Sequence, residues 1–383
     1  MKRLLAMLLA TALMLGVVAL SNGMGRGHRT DGLYYTVTDI HPDAGLLKIN
    51  GTSVSAEEYL YWLSYNCEYL TTYDSDLDWD APVSDGMTYA QYAKADALEA
   101  VKLYAIVRQW AKEGRITLSE EDRANLEAER QQYVAYYGGE EGYDQQIQLL
   151  GVSKETYADI NAVYYLYNKL LQESCTPEGK CYPGDKTLQA YGTENGYVTA
   201  KLLYLSTVGL EKQDAIDALQ TTAEKYAKQL RESDDRNATY AKLAEELGLS
   251  TEGHENGITF SVNDTSLDAK LMSAINALEE GKVSDVISCD NGFYVAIRMP
   301  LDQEAVASAY FDNRLQEARS SAKVTFRQEL YDSIDAGEFY ADLLQARSDL
   351  AQRFASDTKD VPSSDSSDAA TAQTETDTAQ SAG

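Results

Sequence analysis

Apolar positions along the chain change period twice, and those changes divide it. Leu46-Leu47-Lys48-Ile49 reads as a short strand closed by an Asn50-Gly51 turn. Ser55, with Glu58 three residues on, then makes the capping box of a helix in which Tyr59, Trp62, Leu63, Cys67 and Leu70 recur at helical spacing. The segment from Tyr89 to Lys112 repeats that spacing with Ala97, Val101, Tyr104, Ala105 and Val107. Ser119 to Asp122 caps a third helix, which Gly138-Gly139 ends. Leu149 to Ser153 turns the chain into a fourth, carrying Ile160, Val163, Tyr164, Tyr167 and Leu171. From Ser55 to Glu173 the pattern is all-helical, and Pro177, Gly179, Pro183 and Gly184 then punctuate a linker.

At Tyr197 the period shifts. Val198 to Leu205 reads as a strand, Glu211 to Arg231 and Ala238 to Leu247 as helices, and Gly257 to Val262 as a second strand. Ser266 to Leu278 follows as a helix, then Val283 to Ser288 and Gly292 to Met299 as two strands joined by a turn over Cys289 to Gly292. Strand, helices, strand, helix and hairpin make an α+β unit. Helical spacing returns from Gln303 to Phe354, so the α+β unit is predicted to be inserted, with the last helices packing back on the first. The expected divisions are a helical domain over 46–174, a linker over 175–196, the α+β domain over 197–300 and returning helices over 301–355. A Ser/Thr/Asp/Ala tail over 356–383 has too little apolar surface to fold.

The first residues bear on compartment. Met1-Lys2-Arg3 is basic, Leu4 to Leu20 is apolar, and Ala19-Leu20-Ser21 is a small-x-small pattern, which reads as an export signal over 1–21 before a polar lead over 22–45. The run is also just long enough to serve as a single anchor if uncleaved. With no cysteine directly after it, a lipoprotein attachment is disfavoured. The expected location is outside the cytoplasm, anchored or secreted.

The 383 residues carry a formal net charge of −28, which repels phosphate backbones and argues against nucleic-acid partners. Four cysteines and only three histidines occur, none of the latter near the Cys175 and Cys181 pair, so neither a metal nor another cofactor is expected. Those two cysteines bracket a Thr-Pro-Glu-Gly-Lys turn and are expected to be bridged in an oxidising exterior. Twenty-eight tyrosines cluster around Tyr59 to Tyr61, Tyr133 to Tyr137 and Tyr164 to Tyr167. Tyrosine offers apolar area with a wet hydroxyl end, which suits capture of extended chains as well as core packing.

Several of these motifs resemble the SurA and PrsA group of extracytoplasmic foldases. The opening strand, Asn-Gly turn and Val-Ser-x-x-Glu-Tyr helix start of that group are matched by Ile49 to Tyr59, and its Leu-Gly-x-Ser-x-Glu-x-Tyr turn by Leu150 to Tyr157. In the α+β unit, Ala277 to Ser284 resembles the Ala-Leu-x-x-Gly-x-Val-Ser of the parvulin domain, followed by Asn291-Gly292-Phe293-Tyr294-Val295. The resemblance implies a helical chaperone domain with an inserted parvulin-like domain, a four-stranded antiparallel sheet with helices. It also implies peptidyl-prolyl isomerase ancestry, with unfolded or partly folded exported polypeptides as partners.

Both histidines of the parvulin pattern are missing. The strand expected as Ala-x-His-Ile-Leu reads Ala200-Lys201-Leu202-Leu203, where Lys201 is taken as the polar candidate, and the second histidine place carries Tyr294. Cys289 stands for the hairpin Thr or Ser, while Phe260, Leu267 and Leu271 fall where the group places its apolar substrate pocket. Turning a prolyl bond means crossing a barrier set by amide resonance, about 18–20 kcal/mol for an ordinary peptide. A catalyst must hold the twisted bond in an apolar cleft and supply hydrogen bonds matched to it. The resemblance therefore implies a folding factor with a retained apolar cleft and a degenerate isomerase site. The alternatives are a non-enzymatic holdase and a surface scaffold protein.

Overall fold

The computed structural model describes residues 24–84, 86–250, 256–262 and 267–357. The apolar segment read as a signal or anchor, and all but the first two residues of the Ser/Thr-rich tail, lie outside these. Among the described residues no helix is long and apolar enough to cross a membrane.

The expected polar lead contains a short helix, α1 (Leu33–Thr38), before strands β1 (Gly45–Ile49) and β2 (Thr52–Ser55). Asn50 and Gly51, with φ of 50° and 86°, close these two strands into a hairpin, the two left-handed residues that a type I′ turn requires. Helix α2 (Ala56–Tyr73) starts at Ser55, whose hydroxyl accepts from the Glu58 amide at 3.1 Å. The capping box expected there is half made, because the Glu58 carboxylate turns to Arg108, 2.6 Å away on the next long helix. A minimal hairpin of β3 (Pro82–Ser84) and β4 (Met87–Thr88) leads into that helix, α3 (Tyr89–Glu113). Complete boxes form at Thr88 with Gln91 and at Ser119 with Asp122, the latter opening α4 (Glu120–Tyr136).

Helix α5 (Glu140–Leu150), an additional helix within the stretch read as all-helical, follows, and then α6 (Lys154–Cys175). The stretch expected as a linker also holds a helix, α7 (Asp185–Glu194). Its Leu188 is fully buried, and Gly192 lets Leu301 approach so closely that a Cβ there would lie 2.6 Å from it.

The α+β unit comprises β5 (Tyr197–Ser206), α8 (Gln213–Glu232), α9 (Arg236–Glu246), β6 (Ile258–Ser261), α10 (Ala269–Ala277), β7 (Ile287–Cys289) and β8 (Gly292–Met299). Its strands form one antiparallel sheet in the order β6-β5-β8-β7. The strand expected from Val283 shrinks to three residues, since Val283 makes only an isolated bridge to Ile297. At the β7-β8 turn Gly292 has φ of 151°, and a Cβ there would meet the Leu205 carbonyl oxygen at 2.2 Å.

Helices α11 (Gln303–Ser320), α12 (Gln328–Asp332) and α13 (Ala336–Asp357) close the described chain, interrupted by a strand, β9 (Val324–Phe326). That strand pairs with β1, Leu47 facing Phe326, so a segment after the sheet module completes the sheet opened before it. Phe311 and Leu315 of α11 share a core with Ile106, Val107, Val163 and Leu170 of α3 and α6. Phe339, Tyr340 and Leu343 of α13 share the larger core with Tyr34, Tyr59, Leu63 and Val101. The fold is α+β: a helical unit made from both ends of the chain, with the four-stranded sheet module inserted between them.

All four cysteines are free thiols, which corrects the bridge expected between Cys175 and Cys181. Cys175, at the end of α6, packs with the Leu188 and Val306 cluster, whereas Cys181 packs with Ile116 and the α3-α6-α11 core. The intervening turn delivers the two side chains to different clusters.

Candidate functional site

Two surfaces bring together the residues singled out in the sequence, one on the sheet module and one on the helical unit. Along β5 and β8 successive side chains point to opposite faces of the sheet. Leu203, Leu205, Phe293, Val295 and Ile297 pack under α8 and α9, while Val198, Ala200, Ala296 and Phe260 pack under α10.

That alternation separates the candidate polar residues. Lys201 shares the α8-α9 face with Leu203 and Leu205, donates to the Asn237 side-chain oxygen at 2.8 Å and lies 5.4 Å from the ring centre of Tyr240. It is only 6% exposed and sits on an interior strand, so it is not a solvent-facing edge residue. Counted from Ala200, the third residue of Ala-x-His is Leu202, one place beyond Lys201. Leu202 packs on the α10 side with Tyr294 and Cys289. Strand parity thus sets Lys201 on the face opposite Tyr294 and Cys289, and places the apolar Leu202 beside them.

The α10 face gathers the rest. Phe260, Leu271 and Cys289 are buried there, with Leu267 and Tyr294 packed partly buried against them. The Tyr294 ring stacks on Tyr204, its cross-strand partner, with centres 4.7 Å apart and planes 20° off parallel. Its hydroxyl accepts from the Asn291 side-chain amide at 3.0 Å, and the Tyr204 hydroxyl donates to the Asn291 carbonyl at 2.9 Å. Burial, and to a smaller degree the neighbouring Tyr204, raises the Tyr294 pKa, so the phenol stays neutral and can act only as a neutral hydrogen-bonding group. Burial likewise raises the Cys289 thiol, assisted by the charge of Asp268 and a hydrogen bond to it, which makes Cys289 a poor nucleophile at neutral pH.

Asp268 and Tyr204 were not singled out from the sequence, and Asn291 was named only as part of the turn and motif around Gly292. Asp268 caps α10, its carboxylate accepting from the Lys270 backbone amide at 2.7 Å, and an Asp directly before an apolar helical run is the signal that could have located it. Tyr204 is found by counting two residues from Leu202 along the same strand face. Among the described residues no group of three or more His, Cys, Asp or Glu is placed to hold a metal ion.

The second surface lies on the helical unit. Tyr61, Tyr65 and Tyr69 repeat every four residues along α2, on the side away from the buried Leu60, Leu63 and Cys67. Across from them stand Tyr133, Tyr137, Tyr143 and Tyr157, from α4 to α6, enclosing a groove of about 440 Å³ with Glu68, Gln146 and Ile147. Tyr65, Tyr69 and Tyr133 are 50%, 46% and 53% exposed, a density of large apolar surface that a folded core would have absorbed. Part of the expected tyrosine cluster does go to packing: Tyr59 is fully buried and donates to the Lys94 carbonyl at 3.2 Å.

A curated protein, the foldase PrsA of Clostridium botulinum (strain 657 / Type Ba4), is 23% identical over 246 residues, covering 62% of this chain and 68% of that one. The chain resembles the PrsA-type foldases. Among solved structures, the PrsA foldase of Lactococcus lactis aligns over 78% of this chain and 98% of its own, at 13% identity and a TM-score of 0.30. A SurA-like chaperone of Campylobacter jejuni aligns over 81% and 96%, at 14% identity and a TM-score of 0.22. No family model matches.

Proposed function

We propose that this chain is an extracytoplasmic folding factor that holds unfolded polypeptides on its helical unit, with a sheet module of parvulin ancestry that no longer works as an efficient isomerase. The observation that carries the reading is the open groove lined by seven tyrosines, which offers broad, rigid, amphipathic contact to a chain of any sequence. Similarity to a protein named as a foldase points the same way. The export-type leader at Met1 to Ser21 fits a place outside the cytoplasm, and the membrane is a partner only if that leader stays uncleaved.

The degenerate isomerase follows from chemistry. An apolar floor of Phe260, Leu267 and Leu271 remains, but the two histidine places on the α10 face carry Leu202 and Tyr294. A leucine offers no hydrogen bond to a twisted amide. One observation favours the other reading, an isomerase with a variant network: the Tyr294, Tyr204 and Asn291 hydrogen bonds keep a polar group at the rim.

Refolding of a proline-limited client decides between them, since uncatalysed isomerisation takes tens to hundreds of seconds and even weak catalysis is visible. The expected result is suppressed aggregation at stoichiometric amounts with no faster slow phase. Leu202→His combined with Tyr294→His should introduce measurable acceleration. Rapid turnover by the natural sequence, abolished by Tyr294→Phe, would establish the variant network instead.

A further inference from the structure

The walls of the tyrosine groove are helices α2, α4, α5 and α6, whose backbone groups are spent within the helices themselves. A bound chain therefore finds no strand edge to extend, and recognition falls to ring faces and side-chain charge. The rings carry negative charge density on their faces, which attracts cations. Among the lining residues there is one carboxylate, Glu68, and no lysine or arginine. Glu68 is 63% exposed and is paired with Arg347 at 3.5 Å, on a contact open enough to solvent for a bound cation to compete for it. Burial raises the pKa of Tyr61, Tyr143 and Tyr157, keeping these phenols neutral.

Beside the groove, one of the lining rings already holds a cation of the chain itself. The Arg130 guanidinium lies 5.7 Å from the ring centre of Tyr143, one of the lining residues, and is steered there by Glu127 and Glu140 at 3.0 and 2.8 Å. A net charge of −28 adds a long-range field that draws basic segments in and repels acidic ones.

We propose that the groove selects extended polypeptide segments carrying lysine or arginine, held on the tyrosine faces with Glu68 as the counter-charge. The proposal rests on the client-holding reading and adds the client class. The test uses the full chain and three labelled, unstructured Gly/Ser peptides of equal length bearing lysine, glutamine or glutamate at regular intervals, read by fluorescence anisotropy at low and moderate salt. The lysine peptide is expected to bind on the order of tenfold more tightly than the glutamine one, and the glutamate peptide most weakly. Replacing Tyr65, Tyr69 and Tyr133 together by leucine keeps apolar area but removes the ring faces, and should abolish the preference; replacing them by phenylalanine should keep it. These side chains are about half exposed, so circular dichroism should show both variants folded.

No preference for lysine, no binding of any peptide, or a preference that survives the leucine variant as a general charge effect would each overturn the proposal. The broader reading is judged separately, by suppression of client aggregation. If suppression persists without a cation preference, only the client class fails; if the natural chain suppresses nothing, the folding-factor reading itself fails.

Discussion

Glu57→Ala is expected to lower the melting temperature of the helical unit by roughly 5–10 °C, corresponding to a loss of about 3 kcal/mol. Glu57 lies in the first turn of α2 with its side chain 4% exposed, and four donors from two distant segments converge on it. Arg29 reaches both carboxylate oxygens at 3.0 and 3.1 Å, and the Ser153 amide and hydroxyl reach them at 2.8 and 3.0 Å. The Thr156 hydroxyl is the fourth donor. One carboxylate thus pins the lead segment and the N-terminus of α6 to α2, and its charge also suits the positive end of its own helix. Alanine would strand the Ser153 amide without its acceptor and leave the Arg29 guanidinium with Asp31 alone. Glu57→Gln, which retains one acceptor oxygen, should fall between the two. Thermal unfolding followed by circular dichroism checks this; unchanged midpoints for both variants would mean that desolvating the carboxylate cancels all it gains.

Lys201→Ala should cost about 2–3 kcal/mol in the sheet module while leaving client holding and proline-limited refolding unchanged. The truncation removes a buried stem from beneath α9, takes the donor from Asn237 and vacates the face of the Tyr240 ring. Lys201→Met, which keeps the stem's volume and sheds the charge, should recover part of that loss. Denaturant unfolding measured beside aggregation and refolding assays separates the two roles open to this lysine. An alanine variant of natural stability that had lost folding activity would return Lys201 to the functional site and contradict its place on the α8-α9 face.

Local physics made much of the architecture readable. Asn50-Gly51 demanded a left-handed turn, Ser119-x-x-Asp122 a cap, and the apolar spacing from Tyr89 to Lys112 a buried helix, and each formed where those residues stand. What escaped had weak local signals. Val324-Thr325-Phe326 is too short to declare itself a strand and becomes one because β1 offers an unpaired edge. The segment from Asp185 to Glu194 follows a run of Pro and Gly and reads as linker, yet burial of Leu188 against Val306 and Ala307 makes it a helix.

The sequence by itself determined the α+β class, the order of the helical and sheet segments and the absence of histidine from Ala200 to Leu203 and from Gly292 to Ala296, because each of these is written in residue identity and short-range spacing. Which residues meet was decided only by the tertiary structure. A slip of one residue along β5 exchanges the faces of the sheet, so Lys201 and Leu202, adjacent in the chain, belong to different surfaces. The tyrosine groove likewise exists only because α2 stands opposite α4, α5 and α6 and exposes the stripe that Tyr61, Tyr65 and Tyr69 occupy, while Tyr59 on the same helix goes to the core. Periodicity marks a helix as two-faced, but the partner packed against it decides which face stays open to solvent.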